Sequence, residues 1–524
     1  MGKKNYLWPL LMAISLSFGV VAGGYFAGKG ASFSVKEQSG RIKLNKLIDL
    51  IEDEYVDNVN TDSIIDRAVN NILAQLDPHS IYISRSEFED VQNAMRGSFV
   101  GIGINYYVLN DTLAIVKPLK GGPSEKAGLK AGDRILFADN AQLFNKGINN
   151  DSIVSLIRGV EGSKTQLKIY RKSTGKIFDV VITRGEVPLR SVDTAIKIDE
   201  QRGYIKVNRF SETTYKEFRE GLERLLEQGI SELILDLREN GGGYMEPAIQ
   251  MANDFLKKED VIVKTVNKKG NVRITQASTK GLFVDEPLYI LINENSASAS
   301  EIIAGAIQDN DRGVIVGRRS YGKGLVQREM YLGDGSAVRL TTSRYYTPSG
   351  RSIQKPYMDG LEEYNNDLSN RFKSGELYSK DSIHLPDSLK YRTVGGRVVF
   401  GGGGIVPDVF VPLKTKHGED AIQLLMKTSL VSYYVFEEIE RERDLLERMT
   451  PKELAAFIYN DPKYFEALKS HLKTSGLTFN LDRHRKSIMF YLVGEYIHQL
   501  YDDDAYYHWV LQEDPMIQKI YNLK

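Results

Sequence analysis

The stretch LYILINENSASASEIIAGAI, residues 288–307, joins two hydrophobic patterns at a serine-rich turn. Its opening run is continuously apolar, which is typical of a buried strand. The apolar residues after the turn recur at helical spacing and are Ile302, Ile303, Ala306 and Ile307. Ser298 is therefore expected at a strand-to-helix turn within an α/β domain.

This position makes Ser298 a candidate nucleophile. The first amides of a helix have no intrahelical partners and the helix dipole is positive there, so the N–H of Ala299 could stabilise an oxyanion. The same residues also allow a structural interpretation, because Ser298 and Glu301 have the pattern of a capping box, which usually does no chemistry. Ser296 and Ser300 are alternative nucleophiles on the same grounds.

Lys323 is a candidate base because all seven histidines lie outside the stretch that carries these motifs. A serine hydroxyl needs a neighbour to take its proton, and the usual neighbour is histidine. Apolar burial can lower the pKa of a lysine to about 7 to 8, and Ser/Lys pairs are a recognised variant of triad chemistry. Gln327 lies four residues after Lys323. Taken alone, a loop lysine is more often a solvated charge.

A third motif precedes these two. The apolar run that ends in Asp236-Leu237-Arg238 is expected to be a second strand, and it leads into Asn240 and three consecutive glycines. Glycines after a strand allow close backbone approach, and their amides can point into a cleft as a second oxyanion donor. A triple glycine by itself is more commonly a plain turn.

Four motifs in this order resemble those of the C-terminal processing peptidases, also called tail-specific proteases. They are DLRENGGG (236–243), SASASE (296–301), YGKGLVQ (321–327) and YYTPSGRSIQ (345–354). The resemblance implies that Ser298 is the nucleophile, Lys323 the base and Gln327 the residue that orients the base. It also implies oxyanion donors at the amides of Gly243 and Ala299, and neither a metal nor an organic cofactor.

A second module precedes these motifs. Residues 98–104 alternate small and apolar side chains, and residues 123–136 contain an Ala-Gly-Leu-x-x-Gly-Asp turn. Together they resemble a PDZ domain, in which backbone amides hold a peptide's terminal carboxylate while the peptide adds a strand to a sheet edge. The expected peptide-binding residues are Phe99, Gly101, Ile102, Gly103 and Ile104. A lone Gly-x-Gly could equally be an ordinary strand entry. Arg158 is a candidate link between this module and the core, although a solvated surface charge is the more common role for such a residue.

The expected fold class is a multidomain α/β protein with a peptidase core, a PDZ domain and helical segments at both ends, and the resemblance implies that the core is crotonase-like. The expected boundaries are 31–95 for the N-terminal helical region, 96–188 for the PDZ domain, 189–413 for the core, with an insertion near 357–397, and 414–524 for the C-terminal helical domain. The insertion could cover the cleft or decorate an edge. The N-terminal helices could pair two chains into a homo-oligomer, but packing on the chain's own core is the default expectation.

Composition and the N-terminal segment limit the chemistry, the partners and the cellular location that can be expected. The chain has 524 residues, no cysteine, and 69 basic against 69 acidic side chains, so disulfides, thiol chemistry and an electrostatically driven nucleic-acid partner are not expected. Lys3 and Lys4 precede an apolar run from Leu7 to Gly28 that is long enough to cross a bilayer. Residues 1–30 are therefore expected to be a signal peptide or an inner-membrane anchor of a periplasmic protein. A metal site at the acidic run 502–504 near His508 is disfavoured, because no ligand spacing is defined.

The sequence thus predicts an exported serine endopeptidase that captures unstructured protein C-termini through its PDZ domain. Two alternatives stay open. One is a membrane-tethered PDZ adaptor whose peptidase-like core only binds. The other is a hydrolase that uses His79 or His384 as its base. His79 itself is expected in a helix-breaking turn, Asp77-Pro78-His79-Ser80.

Overall fold

The computed structural model describes residues 12–19, 35–109, 111–145, 147, 149–278, 281–358, 360–413, 422, 425–477 and 480–523. Most of the expected anchor Leu7 to Gly28 lies outside the described residues. Of the helices within these ranges, none is long and apolar enough to cross a membrane. The chain divides into two compact units, residues 1–75 and 76–524.

The first unit contains two helices, α1 (Val35–Glu54) and α2 (Thr61–Ala74), besides a short helix at residues 12–19. The side chain of Asn60 caps α2 by accepting the N–H of Ser63 at 3.0 Å. Several large apolar side chains of α1 are exposed, which are Ile42, Leu44, Leu47 and Leu50. The helical expectation for this segment rests on the spacing of such residues.

The second unit begins with β1 (Ile81–Ile83) and α3 (Arg85–Arg96), followed by the PDZ-like module. Its strands are β2 (Ser98–Gly101), β3 (Ile104–Leu109), β4 (Thr112–Pro118), β5 (Asp133–Ala138), β6 (Ala141–Gln142), β7 (Lys164–Arg171), β8 (Lys176–Thr183) and β9 (Gly185–Pro188). Its helices are α4 (Pro123–Lys126) and α5 (Asn150–Ile157). The sheet order is β3-β4-β5-β7-β8, so β3 lies at an edge, while β2 pairs with β9.

The core begins with a six-stranded sheet in the order β10-β11-β12-β15-β16-β21. These strands are β10 (Val192–Lys197), β11 (Arg202–Val207), β12 (Glu232–Asp236), β15 (Leu288–Ile292), β16 (Val314–Gly317) and β21 (Val409–Phe410). All pairs are parallel except β10 with β11. The carboxyl ends of the central strands β12 and β15 therefore meet at one edge, and the glycine-rich and serine-rich motifs follow them directly.

Alternate side chains of this sheet enter two different cores, because successive strand residues point to opposite faces. One face, with Ile205, Leu235 and Ile290, packs against α6 (Thr214–Glu227), α7 (Met245–Asn253) and α8 (Ala299–Asp309). The opposite face packs against the C-terminal helices. Burial on both faces explains why these strands are continuously apolar in sequence.

A second sheet of the core is antiparallel and is formed partly by segments that adjoin the sequence motifs. It has the order β1-β18-β13-β14, and β17 pairs with β18. The new strands are β13 (Val261–Asn267), β14 (Val272–Gln276), β17 (Leu325–Tyr331) and β18 (Ala337–Tyr346). The insertion that follows contributes α9 (Leu361–Lys373) and the hairpin of β19 (Lys390–Arg392) with β20 (Val398–Phe400).

The C-terminal helices are α10 (Ser429–Leu446), α11 (Pro451–Asn460), α12 (Pro462–Thr474), α13 (Arg485–Leu500), α14 (Asp503–Val510) and α15 (Pro515–Tyr521). Helix α15 covers the second face of the core sheet, and Phe436 of α10 is buried against Ala114 and Val116 of the PDZ-like module. The acidic run has structural contacts: Asp502 caps α14, and Asp504 accepts a hydrogen bond from Thr194. Across the described ranges no cluster of three or more His, Cys, Asp or Glu could hold a metal ion.

Candidate active site

Ser298 lies between the end of β15 and the start of α8, in a backbone conformation of φ 56° and ψ −112°. A positive φ is uncommon for a residue other than glycine and costs free energy, so the surrounding contacts must hold it. The neighbouring serines are engaged elsewhere. Ser296 Oγ donates to the carbonyl of Leu237 at 2.8 Å and Ser300 Oγ donates to the carbonyl of Asn240 at 3.0 Å, and both residues are fully buried. Ser298, in contrast, lines an open cavity.

That cavity has a volume of about 560 Å³ and contains the candidate residues together. Its walls include Ser298, Ala299, Lys323 and Gln327, and also the three glycines 241–243. The apolar side chains of the lining are Met95, Met245, Ile302, Leu325 and Val326, and its remaining residues are Tyr244, Arg328, Glu329, Tyr331, Arg339 and Tyr345. The serine, the lysine and the glutamine thus face a common space that is large enough for a stretch of peptide.

Lys323 lies in the loop between β16 and β17, largely buried. Burial, followed by the nearby positive charge of Arg339, lowers the pKa of Lys323 to about 8. Its Nζ donates to Oε1 of Gln327 at 2.8 Å, which fixes the direction of the amine. Because desolvation favours the neutral amine, a substantial fraction of Lys323 can accept a proton in mildly alkaline solution.

Gln327 is itself held by a distant part of the chain. Its Nε2 donates to the backbone carbonyl of His79. The turn that presents this carbonyl is closed by Asp77, whose Oδ1 accepts the N–H groups of His79 and Ser80, each at 2.8 Å. The segment Asp77 to Ser80 is therefore a turn, as the sequence indicated, and it supports the lysine through one intermediate residue.

Glu301 forms hydrogen bonds with both the turn that carries Ser298 and the loop that carries Lys323. Its buried carboxylate accepts the N–H of Ser298 at 2.9 Å and, from the lysine loop, the N–H of Gly322 at 2.7 Å, the N–H of Lys323 at 2.9 Å and the hydroxyl of Ser320 at 2.6 Å. Ser298 and Glu301 do form a capping box, but Glu301 also ties the serine turn to the lysine loop. Burial raises the pKa of Glu301, and these donors lower it again in part.

The oxyanion donors expected from the sequence lie beside the serine. A side chain at Gly242 would meet Cβ of Ser298 at 2.8 Å and the nitrogen of Ala299 at 3.2 Å, so the glycine loop must approach the serine as bare backbone. The N–H of Gly242 donates to Oδ1 of Asn240 at 2.9 Å and is therefore occupied. Gly243 is pinned against Phe210, whose carbonyl oxygen would lie 2.1 Å from an added Cβ. The assignment of Gly243 and Ala299 as donors stays a prediction.

The two histidines considered as alternative bases lie in different surroundings. His79 is close to the site, but burial and the charge of Lys323 lower its pKa to about 4. Its Nε2 hydrogen-bonds with the hydroxyl of Tyr364 at 2.6 Å, and neither the ring nor any other atom of His79 lines the cavity. His384 is exposed in the insertion.

The expected peptide-binding residues of the PDZ-like module lie together before and at the start of edge strand β3. Ile102 and Ile104 are buried in the module's core, and Gly103 has a left-handed φ of 74°. Gly101 forms a β-bridge with Arg158, and the guanidinium of Arg158 lies 5.5 Å from the ring centre of Phe99. Arg158 also pairs with Asp90 of α3, which lies outside both the module and the core, so its role as a link to the core stays a prediction.

Comparisons with known proteins identify the family of the chain. Residues 201–362 match the family described as Peptidase family S41, and residues 100–182 match the PDZ domain. The chain therefore belongs to peptidase family S41, a family of serine-type peptidases, and carries a PDZ domain.

Two relatives show the extent of the similarity. The carboxy-terminal processing protease CtpA of Bacillus subtilis is 36% identical over 314 residues, which are 60% of this chain and 66% of that protein, slightly under two thirds of its length. The carboxy-terminal-processing protease of Bartonella bacilliformis is 34% identical over 316 residues, 60% of this chain and 72% of that protein. A solved structure, the photosystem II D1 C-terminal processing protease, is 26% identical with a TM-score of 0.37 and covers 71% of this chain and 86% of its own.

Proposed function

We propose that this protein is an exported serine endopeptidase that captures unstructured C-terminal tails of proteins and hydrolyses peptide bonds near them. The observation that carries the proposal is the cavity in which Ser298 faces the same space as Lys323, a lysine whose pKa is lowered to about 8 and whose amine is directed by Gln327. A solvated surface lysine would have neither feature.

In the proposed mechanism, neutral Lys323 accepts the hydroxyl proton of Ser298 as Oγ attacks the peptide carbonyl carbon. The carbonyl oxygen becomes an oxyanion that the amides of Gly243 and Ala299 stabilise, each contributing about 3 to 4 kcal/mol by analogy with oxyanion donors measured in other serine proteases. Lys323 then gives its proton to the departing amine, which leaves an acyl-enzyme on Ser298. Water, deprotonated by Lys323, hydrolyses that ester and restores the serine.

Recognition of the tail is assigned to the PDZ domain. Edge strand β3 can accept an added peptide strand, and the segment Phe99 to Gly103, which runs from β2 to the start of β3, can hold the terminal carboxylate through its amides. The curated relatives named above are called carboxy-terminal processing proteases, which supports a substrate whose cleaved bond is near its C-terminus. Unstructured tails fit best, because an extended peptide is needed both at β3 and in the cavity.

The proposed location is the periplasm, with the N-terminal segment in the inner membrane. Lys3 and Lys4 before the apolar run Leu7 to Gly28 support this orientation, because basic residues are retained on the cytoplasmic side. Fractionation of cells that produce the full chain tests it: recovery in the membrane fraction with protease sensitivity only after the outer membrane is opened is expected. Recovery in the cytoplasmic fraction contradicts it.

The catalytic proposal is tested with a protein that ends in an apolar, unstructured tail and with a copy whose terminal carboxylate is amidated. Mass spectrometry of the products reports cleavage and its position. Ser298→Ala and Lys323→Ala are each expected to lower the single-turnover rate at least about a thousandfold, and Gln327→Leu about 10- to 100-fold. The amidated copy should be cut more slowly.

The same experiment addresses the alternatives. A chain that binds the tail but cuts nothing, with Ser298→Ala binding as well as wild type, is a PDZ adaptor. If Lys323→Ala keeps its turnover while His79→Ala or His384→Ala loses it, a histidine is the base. Either result overturns the proposed mechanism.

A further inference from the structure

The insertion that follows the last motif places helix α9 directly against the lysine loop. Helix α9 carries two side chains that are 3% exposed, Tyr364 and Arg371, although most of its residues face solvent. A buried arginine requires acceptors, because its desolvation is costly. The partners of Arg371 and Tyr364 therefore show what this helix holds in place.

Arg371 holds the backbone of the segment that leads into Lys323. Its guanidinium donates to the carbonyl of Ser320 at 2.8 Å and to the carbonyls of Arg319 and Tyr321, each at 3.3 Å. Asp367, one turn earlier on α9, pairs with Arg371 at 3.0 Å and so directs it. Three consecutive carbonyls just before Lys323 thus depend on one side chain of the insertion.

Glu376, just after α9, adds a second attachment. Both of its carboxylate oxygens accept from the guanidinium of Arg319, each at 2.6 Å. Such a bidentate pair fixes orientation as well as distance. The same loop is therefore held at its backbone by Arg371 and at a side chain by Glu376.

Tyr364 contacts the segment that supports Gln327. Its hydroxyl hydrogen-bonds with Nε2 of His79 at 2.6 Å, and the backbone carbonyl of His79 accepts from Gln327, which accepts from Nζ of Lys323. The ammonium of Lys355 lies 4.1 Å from the ring centre of Tyr364 and 4.1 Å from that of Tyr321, so it packs between the insertion and the lysine loop. One chain of contacts thus runs from Tyr364 through His79 and Gln327 to the amine, and the contacts of Arg371 reach the backbone of the loop that carries Lys323.

We propose that helix α9 is a positioning element of the active site, in which Arg371 fixes the loop that carries Lys323 and Tyr364 fixes the turn that holds Gln327. The inference rests on the proposed function, since it assigns a role toward the same base. Arg371 and Tyr364 act through other residues and touch no substrate. Without them the lysine loop keeps its contacts with Glu301 but loses those with α9, so the amine is directed less precisely and shielded less from water.

The test compares Arg371→Met with Arg312→Met. Arg312 is a matched control because its guanidinium also donates to three backbone carbonyls, those of Phe255, Phe283 and Glu286, far from the lysine loop. We expect Arg371→Met to lower kcat about 10- to 100-fold with KM changed by less than about threefold. Its kcat should also rise with pH at a higher midpoint than wild type, whereas Arg312→Met should keep the wild-type midpoint and kcat. Arg371→Lys should recover part of kcat.

A smaller change covers the case in which Arg371→Met does not fold. Tyr364→Phe removes only the hydroxyl that reaches His79, and Tyr464→Phe, which removes a buried hydroxyl bonded to Glu442 at 2.8 Å in the C-terminal domain, is its control. The inference is overturned if Tyr364→Phe and every folded Arg371 variant keep the wild-type midpoint and lose no more kcat than their controls. Failure of the proposed function would be recognised separately, by full activity of Lys323→Ala.

Discussion

The proposed active-site cavity and the proposed peptide-binding edge of the PDZ domain are stabilised by different kinds of contact. Around Ser298 and Lys323, one buried carboxylate accepts four hydrogen bonds, and Gln327 joins the lysine to a turn far away in sequence. At the PDZ edge, Arg158 forms an ion pair with Asp90 of α3, and their side chains are 40% and 63% exposed. An exposed pair of this kind contributes little free energy.

This difference matches what each region is proposed to do. Proton transfer requires fixed distances, so the residues around Ser298 and Lys323 are ordered before substrate arrives. Tails of varied sequence require an edge that can adapt, and main-chain hydrogen bonds at β3 provide affinity without fixing side chains. Changes in the cavity should therefore lower kcat, whereas changes at the PDZ edge should raise KM for tailed substrates.

Among variants outside the proposed proton-transfer groups, the largest effect is expected for Glu301→Gln, which tests how strongly the cavity depends on its central carboxylate. An amide keeps one acceptor oxygen and turns an NH₂ group toward groups that are themselves donors. We expect kcat to fall about a hundredfold at unchanged KM, measured on a short peptide. Asp254→Asn is the control, because Asp254 is equally buried but pairs with Arg219 away from the cavity. Equal losses of kcat in both variants would mean that Glu301 only stabilises the fold.

Gly103→Ala at the PDZ edge is expected to change KM about tenfold and to leave kcat unchanged. Gly103 has φ 74°, and an added Cβ would lie 3.1 Å from the side chain of Val187, so either this side chain or the backbone at Gly103 must shift. We expect KM for the tailed protein to rise about tenfold, with kcat on a short peptide unchanged. Gly128→Ala has a similar φ of 78° but open space around it, so it carries the same backbone strain without the crowding. A loss of kcat on the short peptide in Gly103→Ala would contradict the proposed division of roles, in which the cavity determines kcat and the PDZ edge determines KM.

The smallest effect is expected for Arg339→Gln, which changes the electrostatics of the cavity without touching the proposed proton-transfer groups. The charge of Arg339 lowers the pKa of Lys323, so its removal should raise that pKa. We expect the midpoint of kcat against pH to move upward by less than about one unit, and the rate at pH 7 to fall by less than about tenfold. Arg328→Gln, in the neighbouring strand and also lining the cavity, should leave the midpoint in place. A downward shift would contradict the sign of this interaction.

Local patterns in the sequence predicted the framework of the site. The apolar run before Ser298 is strand β15 and the helical spacing after it is α8, because both depend on neighbouring residues. The absence of histidine from the motif region pointed to Lys323. The family and the PDZ domain followed from ordered motifs, each of which is short and contiguous.

Contacts between distant segments could not be predicted in the same way. Gln327 reaches the carbonyl of His79, a backbone group with no sequence signal, and Glu301 could be recognised only as a helix cap. The glycine run could not show which amides are occupied until Asn240 was seen to accept from Gly242. The insertion left two interpretations open, and only its packing placed Arg371 against the lysine loop.

The identity of the base is tested most directly by the single-turnover rate of cleavage as a function of pH. Neutral Lys323 is the reactive form, so the rate should rise with pH through a midpoint near 8, where burial places the pKa of this lysine. Lys323→Ala should lose the activity together with this dependence. A rate that already reaches its plateau just above pH 4, where the pKa of His79 lies, and that survives Lys323→Ala, would contradict the account.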